Sequence, residues 1–364
     1  MKVLGIETSC DECAAAVVED GRKVLSSVVA TQIPFHAAYK GVVPEIASRK
    51  HTEWIYGVAK EALDKAGLGP ADIEGVAATA RPGLLGSLLV GLTFAKAFAW
   101  SRGLPFIAVD HMLAHLYASR LEFPAAAPQA NPAGGAQRTD AETTAGPAGY
   151  PFLGLLVSGG HSIICRADDF DDITILGTTI DDAVGEAFDK VSKHYGFGYP
   201  GGAVIDRMSQ NGDSGAFQFP LPNLYKGEHR YDVSYSGLKT AVINQLEQFR
   251  GKRNSPGTAP RKEDIAASFQ KTAVDILLRA LFNAAEDTGL TNIVAGGGVA
   301  ANSYLRARLA ERKDLRCIFP PAEICGDNGA MIAGIGYRYL ARAETSPFSV
   351  NAAARVSGFK RRYP

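Results

Sequence analysis

The chain has 364 residues, 46% hydrophobic and 21% charged, with 38 basic residues balanced by 38 acidic ones. The composition is that of an ordinary soluble globular protein, and the length argues against a single core, so two lobes are expected. A net charge of zero neither demands nor excludes a nucleic-acid partner, because a local basic patch suffices.

The opening KVLGIETSCDECAAAVVED reads as strand, polar turn, strand: VLGIE, TSCDE, CAAAVV. It does not read as a secretory signal, since its apolar run is short and ends in polar residues. Residues 45–67 carry apolar side chains at helical spacing and stop on Gly67, which suits a helix end. IEGVAATARPG is a short strand entering a turn. Pro82 to Trp100 is the most membrane-like stretch. Lys96, three glycines and hydroxyl residues break its apolar run. A span needs about 20 apolar residues, so a buried helix is expected instead. The strand PFIAV and the segment VDHMLAHLYASRL follow.

Residues 124–150 are rich in Ala, Pro, Gly and Thr and nearly lack large apolar residues. They read as an exposed insertion that cannot bury a core. FLGLLVSGGHSIICRADDF then repeats the opening pattern, an apolar strand with Gly third, a small polar turn and a second strand, which suggests a duplicated design. DDAVGEAFDKVSKHYGFGYPGG reads as a helix closed by a glycine-rich loop. EDIAASFQKTAVDILLRALFNAAEDTG reads as a long amphipathic helix. NIVAGGGVAANSYLRARLAERK is strand, glycine turn, helix, and ICGDNGAMIAGIGYRYL opens a last helix. Strands alternating with helices give an α/β protein. The expected organisation is an N-terminal lobe over 1–123, the insertion at 124–150, a C-terminal lobe over 151–330, and a helix and tail over 331–364 that return to the first lobe.

Five cysteines, an odd and scattered set, point to free thiols in a reducing cytoplasm. Cys10 and Cys13 form a C-x-x-C, but no second pair exists to complete a zinc site. Three turns, IETSCDE, LVSGGHS and VAGGGVAANS, are small and glycine- or hydroxyl-rich. Such turns let backbone N–H groups approach a phosphate, and a following helix N-terminus adds positive potential. None is a P-loop or a dinucleotide fingerprint. His111 and His115 share one helical face and can grip one ion, with Asp110 either capping that helix or partnering a ligand. A lone H-x-x-x-H is more often structural than metal-binding. Met112 stands where the zinc-protease signature needs Glu. A third ligand would be a carboxylate elsewhere, Asp327 in GDNGAM being one candidate among many.

GIETSCDE, GVVPEIASRKH, HMLAH, LLVSGGHS, DDAVGEAFDKV, YPGG, YSGLKTA, AGGGVAAN and DNGAMIA occur in this order. Together they closely resemble the bacterial tRNA adenosine threonylcarbamoyltransferase family, once called glycoproteases, over roughly residues 1–340. The resemblance implies the two-lobed α/β fold of actin, sugar kinases and heat-shock ATPases, with duplicated mixed-sheet domains and a central cleft. It implies transfer of threonylcarbamoyl from threonylcarbamoyl-AMP to N6 of adenosine 37 in tRNAs reading codons that begin with A, forming t6A. The family's metal ligands match His111, His115 and Asp327, which implies one divalent ion per subunit, iron or zinc. Its adenylate-binding positions match Leu156, Val157, Ser158, Gly159, Gly160, Asp189, Gly202, Asp206 and Asn302. Its acidic pair near the site matches Asp11 and Glu12, the candidate catalytic residues.

The implied partners are tRNA, a smaller paralogous subunit and a P-loop ATPase, in the cytoplasm and away from membranes. Three departures stand out: Arg81 where relatives usually carry Gly, Cys13 in place of a more usual Thr, and the 124–150 insertion. The basic cluster in FKRRYP would suit phosphate contacts or a solvated tail equally. The rival reading is an ATPase or small-molecule kinase of the same superfamily, since fold alone does not determine function.

Overall fold

The computed structural model of the protein describes residues 1–39, 41–123, 149–222, 224, 226–251, 261–355 and 360–361. The expected insertion lies outside the described residues except at Gly149 and Tyr150, as does most of the FKRRYP tail. In chain order the elements are β1 (Lys2–Glu7), β2 (Glu12–Glu19), β3 (Lys23–Thr31), α1 (Ile33–His36), α2 (Pro44–Ala66), β4 (Gly75–Arg81), α3 (Leu85–Arg102), β5 (Phe106–Asp110) and α4 (His111–Tyr117). There follow β6 (Phe152–Val157), β7 (Ser162–Ala167), β8 (Ile173–Thr178), α5 (Val184–Tyr195), α6 (Gly201–Ser209), α7 (Ser236–Gly251), α8 (Lys262–Thr288), β9 (Asn292–Gly296), α9 (Ser303–Ala310), β10 (Arg316–Ile318), α10 (Gly329–Ala341) and β11 (Lys360–Arg361).

The chain forms two compact units, Met1–Pro147 with Pro320–Phe359, and Ala148–Phe319 with Lys360–Pro364. The boundary falls at Phe319 and Pro320 rather than at residue 330, so Asp327 belongs to the first unit. The reason is that α10 packs on β1, β2 and β4, which draws the turn before it into that unit. Lys360 and Arg361 belong to the second unit because β11 pairs in parallel with β8.

The first unit holds a sheet of order β3-β2-β1-β4-β5. β1, β2 and β3 form an antiparallel meander, and β4 and β5 run parallel to β1. Alternation along β1 decides which helices each residue meets. Leu4 and Ile6 pack with Ile55 and Val58 of α2 and Leu92 and Ala95 of α3. Gly5, on the opposite face, meets α10 so closely that a β-carbon there would overlap the Gly329 carbonyl and stand 2.8 Å from the Ala333 β-carbon. Glu7 shares the face of Gly5.

The helix α2 ends on Gly67 at φ 68°, as its sequence signals. The helix α3 departs from the expected buried helix. It buries Ser87, Leu88, Gly91, Leu92, Ala95 and Ala99 against the sheet, while Leu85, Leu89 and Trp100 are exposed. Its residues are apolar all round, so the pattern alone could not show which face meets the core. No helix among the described residues is long and apolar enough to cross a membrane.

The second unit holds a sheet of order β10-β9-β6-β7-β8-β11. β6, β7 and β8 form an antiparallel meander, and β9 and β10 continue in parallel from β6. Apart from β11, this is the strand order of the first unit. The duplication suggested by the two hairpins therefore extends to whole sheets.

Candidate active site

In the first unit, the C-terminal end of β5 leads directly into α4. Asp110 caps this helix, its Oδ1 accepting from the Met112 N–H at 2.9 Å and the Leu113 N–H at 3.4 Å. Capped in this way, α4 presents His111 and His115 on one buried face. Asp327 comes from the turn before α10, whose own cap is Asn328, with Oδ1 accepting from the Met331 N–H at 2.9 Å.

The three side chains converge. His115 Nε2 lies 3.1 Å from His111 Nε2 and 3.1 Å from Asp327 Oδ1, and His111 Nε2 lies 3.4 Å from the same oxygen. Together they form a group able to hold a metal ion. Donors bound at about 2.1 Å stand roughly 3.0 to 3.4 Å apart in octahedral or tetrahedral geometry, so the spacing fits a single ion. Two imidazoles and a carboxylate suit iron or zinc and leave open coordination positions.

The field at this cluster favours positive charge. Burial opposes protonation of His111, but the carboxylates of Asp327 and Glu7 outweigh it and raise its pKa to about 9. Burial and the neighbouring His111 charge lower the pKa of His115. Burial would raise Asp327, yet His111 and His115 hold it well below the usual carboxylate range. A cation shared by the three donors satisfies the same balance.

Sequence reasoning missed three residues around this cluster. Glu7 Oε2 lies 2.9 Å from His111 Nδ1 and accepts from Thr79 Oγ1 at 2.5 Å, while Glu7 Oε1 accepts from the Ser9 N–H. Ser9 Oγ lies 3.3 Å from His111 Nδ1 and 3.4 Å from Asp327 Oδ2. The only signal in the sequence was an acidic residue closing an otherwise apolar strand.

Asp11 and Glu12 lie in the turn and first residue between β1 and β2. The Asp11 carbonyl accepts from the Gln32 N–H at 3.0 Å, and Glu12 Oε1 accepts from Thr31 Oγ1 at 3.1 Å. Glu12 Oε2 is buried with no hydrogen-bond partner among the described residues. Burial, then the Asp11 charge, raises the pKa of Glu12 to about 8, and the Asp327 charge adds to this. Arg81 turns its guanidinium to the capping residue, its Nε 3.4 Å from Asp110 Oδ2. All five cysteines are free, and burial pushes the Cys13 thiol up to about 12, so the C-x-x-C is no thiolate pair.

The second unit gathers the candidate nucleotide-binding residues. Leu156 and Val157 end β6, and Ser158, Gly159 and Gly160 form the turn to β7. The Ser158 N–H donates to the His161 carbonyl at 2.8 Å. A β-carbon on Gly185 would stand 2.6 Å from the Ser158 carbonyl oxygen, so α5 begins against this turn. Gly297, at φ 91°, sits so close to Val157 that a β-carbon would overlap its carbonyl. The turns after β6 and β9 are thereby packed together.

Two carboxylates there hold helix starts. Asp189 Oδ1 accepts from the Gly201 N–H at 2.7 Å, at the first residue of α6 and beside Gly202. Asp206 accepts from Ser303 Oγ at 2.7 Å, from the Ser303 N–H at 3.2 Å and from Asn302 Nδ2 at 3.2 Å. Asn302 also caps α9, its Oδ1 accepting from the Leu305 N–H at 3.0 Å, and Nδ2 donates to Gln270 Oε1 at 3.0 Å. Hydrogen bonds thus tie α5 to the start of α6 and α6 to the start of α9, and the start of α5 packs against the glycine turn, an arrangement suited to an anionic ligand.

Two α/β units of the same strand order define the actin-like ATPase class of fold. Solved structures agree: T. kodakarensis HypF is 14% identical with a TM-score of 0.57, covering 94% of this chain and 48% of that one. Component A of the Acidaminococcus fermentans (R)-2-hydroxyglutaryl-CoA dehydratase is 13% identical with a TM-score of 0.53, covering 94% and 99%. At such identities they speak to fold alone. A family model for TsaD, tRNA N6-adenosine threonylcarbamoyltransferase, matches residues 23–141 and 133–334. A relative of that name from Treponema denticola is 61% identical over 364 residues, 100% of this chain and 99% of the relative. Another, from Treponema pallidum, is 54% identical over 362 residues, 100% and 95%. The chain belongs to the tRNA N6-adenosine threonylcarbamoyltransferase family.

Proposed function

We propose that the protein transfers the threonylcarbamoyl group from threonylcarbamoyl-AMP to N6 of adenosine 37 in tRNAs reading codons that begin with A, forming t6A. The observation that carries this reading, beside family membership, is the convergence of His111, His115 and Asp327. A phosphotransferase of the same fold has no need of such a triad.

In this reading the second unit binds the adenylate. Backbone N–H groups of Gly159 and Gly160, in the turn that Ser158 opens, and of Gly202 in the first turn of α6 meet the phosphate, where helix ends favour negative charge. Asp189, Asp206 and Asn302, already holding helix starts, orient ribose and base. Leu156 and Val157 support the phosphate turn from β6. His111, His115 and Asp327 hold one divalent ion, iron or zinc. When bound, such an ion supplies Lewis-acid polarisation of a carbonyl.

The transfer forms a bond from adenosine N6 to the carbamoyl carbon and breaks the bond from that carbon to the phosphate oxygen, releasing AMP. N6 gives up one proton. Glu12, raised to about 8 by burial and by Asp11, has the basicity to accept it near neutral pH. Asp11 sustains that basicity by its charge. The reading also takes the smaller paralogous subunit and the P-loop ATPase as partners, in the cytoplasm.

Purified protein, these partners and unmodified tRNA are incubated with threonylcarbamoyl-AMP, and nucleosides are read by mass spectrometry, with His111→Ala in parallel. t6A from the wild type and almost none from the variant is the expected result. No product from folded, partnered protein overturns the reading in favour of an ATPase or kinase, and product from both proteins reduces the histidine pair to structure.

A further inference from the structure

We propose that Glu7 is the positioning residue that sets the tautomer and ring orientation of His111 for metal ligation, a role that rests on reading His111, His115 and Asp327 as the metal ligands. Glu7 is 0% exposed, an unfavourable place for a carboxylate unless every oxygen is matched by a donor. Donors surround it. Ser9 N–H points at Oε1, while Thr79 Oγ1 at 2.5 Å and His111 Nδ1 at 2.9 Å reach Oε2. Three contacts of this kind anchor the carboxylate and leave it acceptor-only toward the imidazole.

The consequence for His111 follows from imidazole chemistry. Facing a carboxylate, Nδ1 carries the proton, and the neutral ring then has its lone pair on Nε2. Nε2 is the atom that lies 3.1 Å from His115 Nε2 and 3.4 Å from Asp327 Oδ1. A ligating imidazole whose other nitrogen donates to a carboxylate is held in ring plane and made more basic. The placement originates in β1, where strand alternation turns Glu7 to the same face as Gly5, the face covered by α10.

Glu7→Gln keeps the shape and removes the match. If its NH2 replaces Oε2, His111 Nδ1 loses its carboxylate acceptor and keeps only Ser9 Oγ at 3.3 Å, which favours the tautomer with the proton on Nε2, where ligation is blocked. If its NH2 replaces Oε1, the amide oxygen still faces His111 Nδ1, but the NH2 meets the Ser9 N–H, donor against donor, which pushes the side chain out of its place against the imidazole.

The test uses the full chain. Zn²⁺ affinity is measured by competition with a chromophoric chelator, and the visible spectrum of the Co²⁺-loaded protein reports the ligand set, for wild type, Glu7→Gln and Thr79→Val. Glu7→Gln is expected to lose about 10–100-fold in Zn²⁺ affinity and to shift the Co²⁺ bands. A folded Glu7→Gln with wild-type affinity and spectrum overturns the proposal. Should Glu7→Gln not fold, Thr79→Val decides. It keeps the carboxylate but removes one anchor, so affinity should fall several-fold, and unchanged affinity overturns the proposal. A wild type that takes up neither Zn²⁺ nor Co²⁺ overturns the triad reading and this proposal together, whereas failure confined to Glu7→Gln leaves the triad standing.

Discussion

Gly5 in β1 and Gly329 at the start of α10 meet backbone to backbone, with no room for a β-carbon on Gly5 between the strand and the Gly329 carbonyl. This contact draws the turn carrying Asp327 toward the strand that ends in Glu7. Gly5→Ala should therefore force α10 away from the sheet. Overpacking of this kind typically costs about 1–3 kcal/mol and occasionally more. Urea denaturation would read the loss, and Zn²⁺ affinity should fall with it, because Asp327 travels with α10. Unchanged stability would mean that α10 shifts freely on the sheet.

Asp327→Asn and His115→Ala each remove one donor from the triad. Both should weaken Zn²⁺ binding beyond the roughly 10–100-fold typical of losing an outer partner. Wild-type protein should gain thermal stability as Zn²⁺ is added, by mass action, and the variants should not. Differential scanning calorimetry across a Zn²⁺ series checks this, and equal gains in all three proteins would place the ion elsewhere.

Glu12 sets a pH dependence whose sign can be worked out. In the unfolded chain its carboxyl ionises near the ordinary 4.5, and in the folded protein near about 8. Between these values the folded state binds more protons, so its stability falls as pH rises from about 4.5 to 8 and levels off above. Glu12→Gln, which cannot ionise, removes this penalty. The variant should match the wild type near pH 4.5 in melting temperature and exceed it increasingly toward pH 8. A difference independent of pH would show that Glu12 ionises normally. In the transfer assay the same variant should lose activity, whatever it gains in stability.

Asp110→Ala removes the cap of α4. Loss of an N-cap costs about 0.5–2 kcal/mol, and burial of the Met112 and Leu113 N–H groups places this one toward the upper end. Chemical denaturation gives the stability change. Reduced metal affinity should accompany it, since His111 is the first residue of the uncapped helix.

Asn302→Ala tests the second unit. It deletes the cap of α9 and leaves the buried Gln270 amide without its donor. AMP binding, measured by titration calorimetry, should weaken roughly tenfold, the worth of about one good hydrogen bond. Stability loss with unchanged AMP affinity would confine Asn302 to structure.

Much of the scaffold was legible because it rests on local rules. Gly67 stopped α2, Asp110 capped α4, and the i, i+4 spacing put both histidines on one face. The strand β3 went unread although Asp20-Gly21, at φ 51° and 70°, marks the hairpin turn that leads into it. The exposed side of α3 was illegible because apolar residues surround the helix.

The sequence by itself determined the family, the duplicated α/β design and the histidine pair, since motifs and periodicities are local and survive without coordinates. It named Asp327 only through resemblance, because 212 residues separate it from His115 and no spacing rule spans such a distance. Glu7, Ser9 and Thr79 were decided by tertiary structure alone. Strand alternation turned Glu7 inward, and the pairing of β1 with β4 and of β4 with β5 brought Thr79 and His111 to its carboxylate.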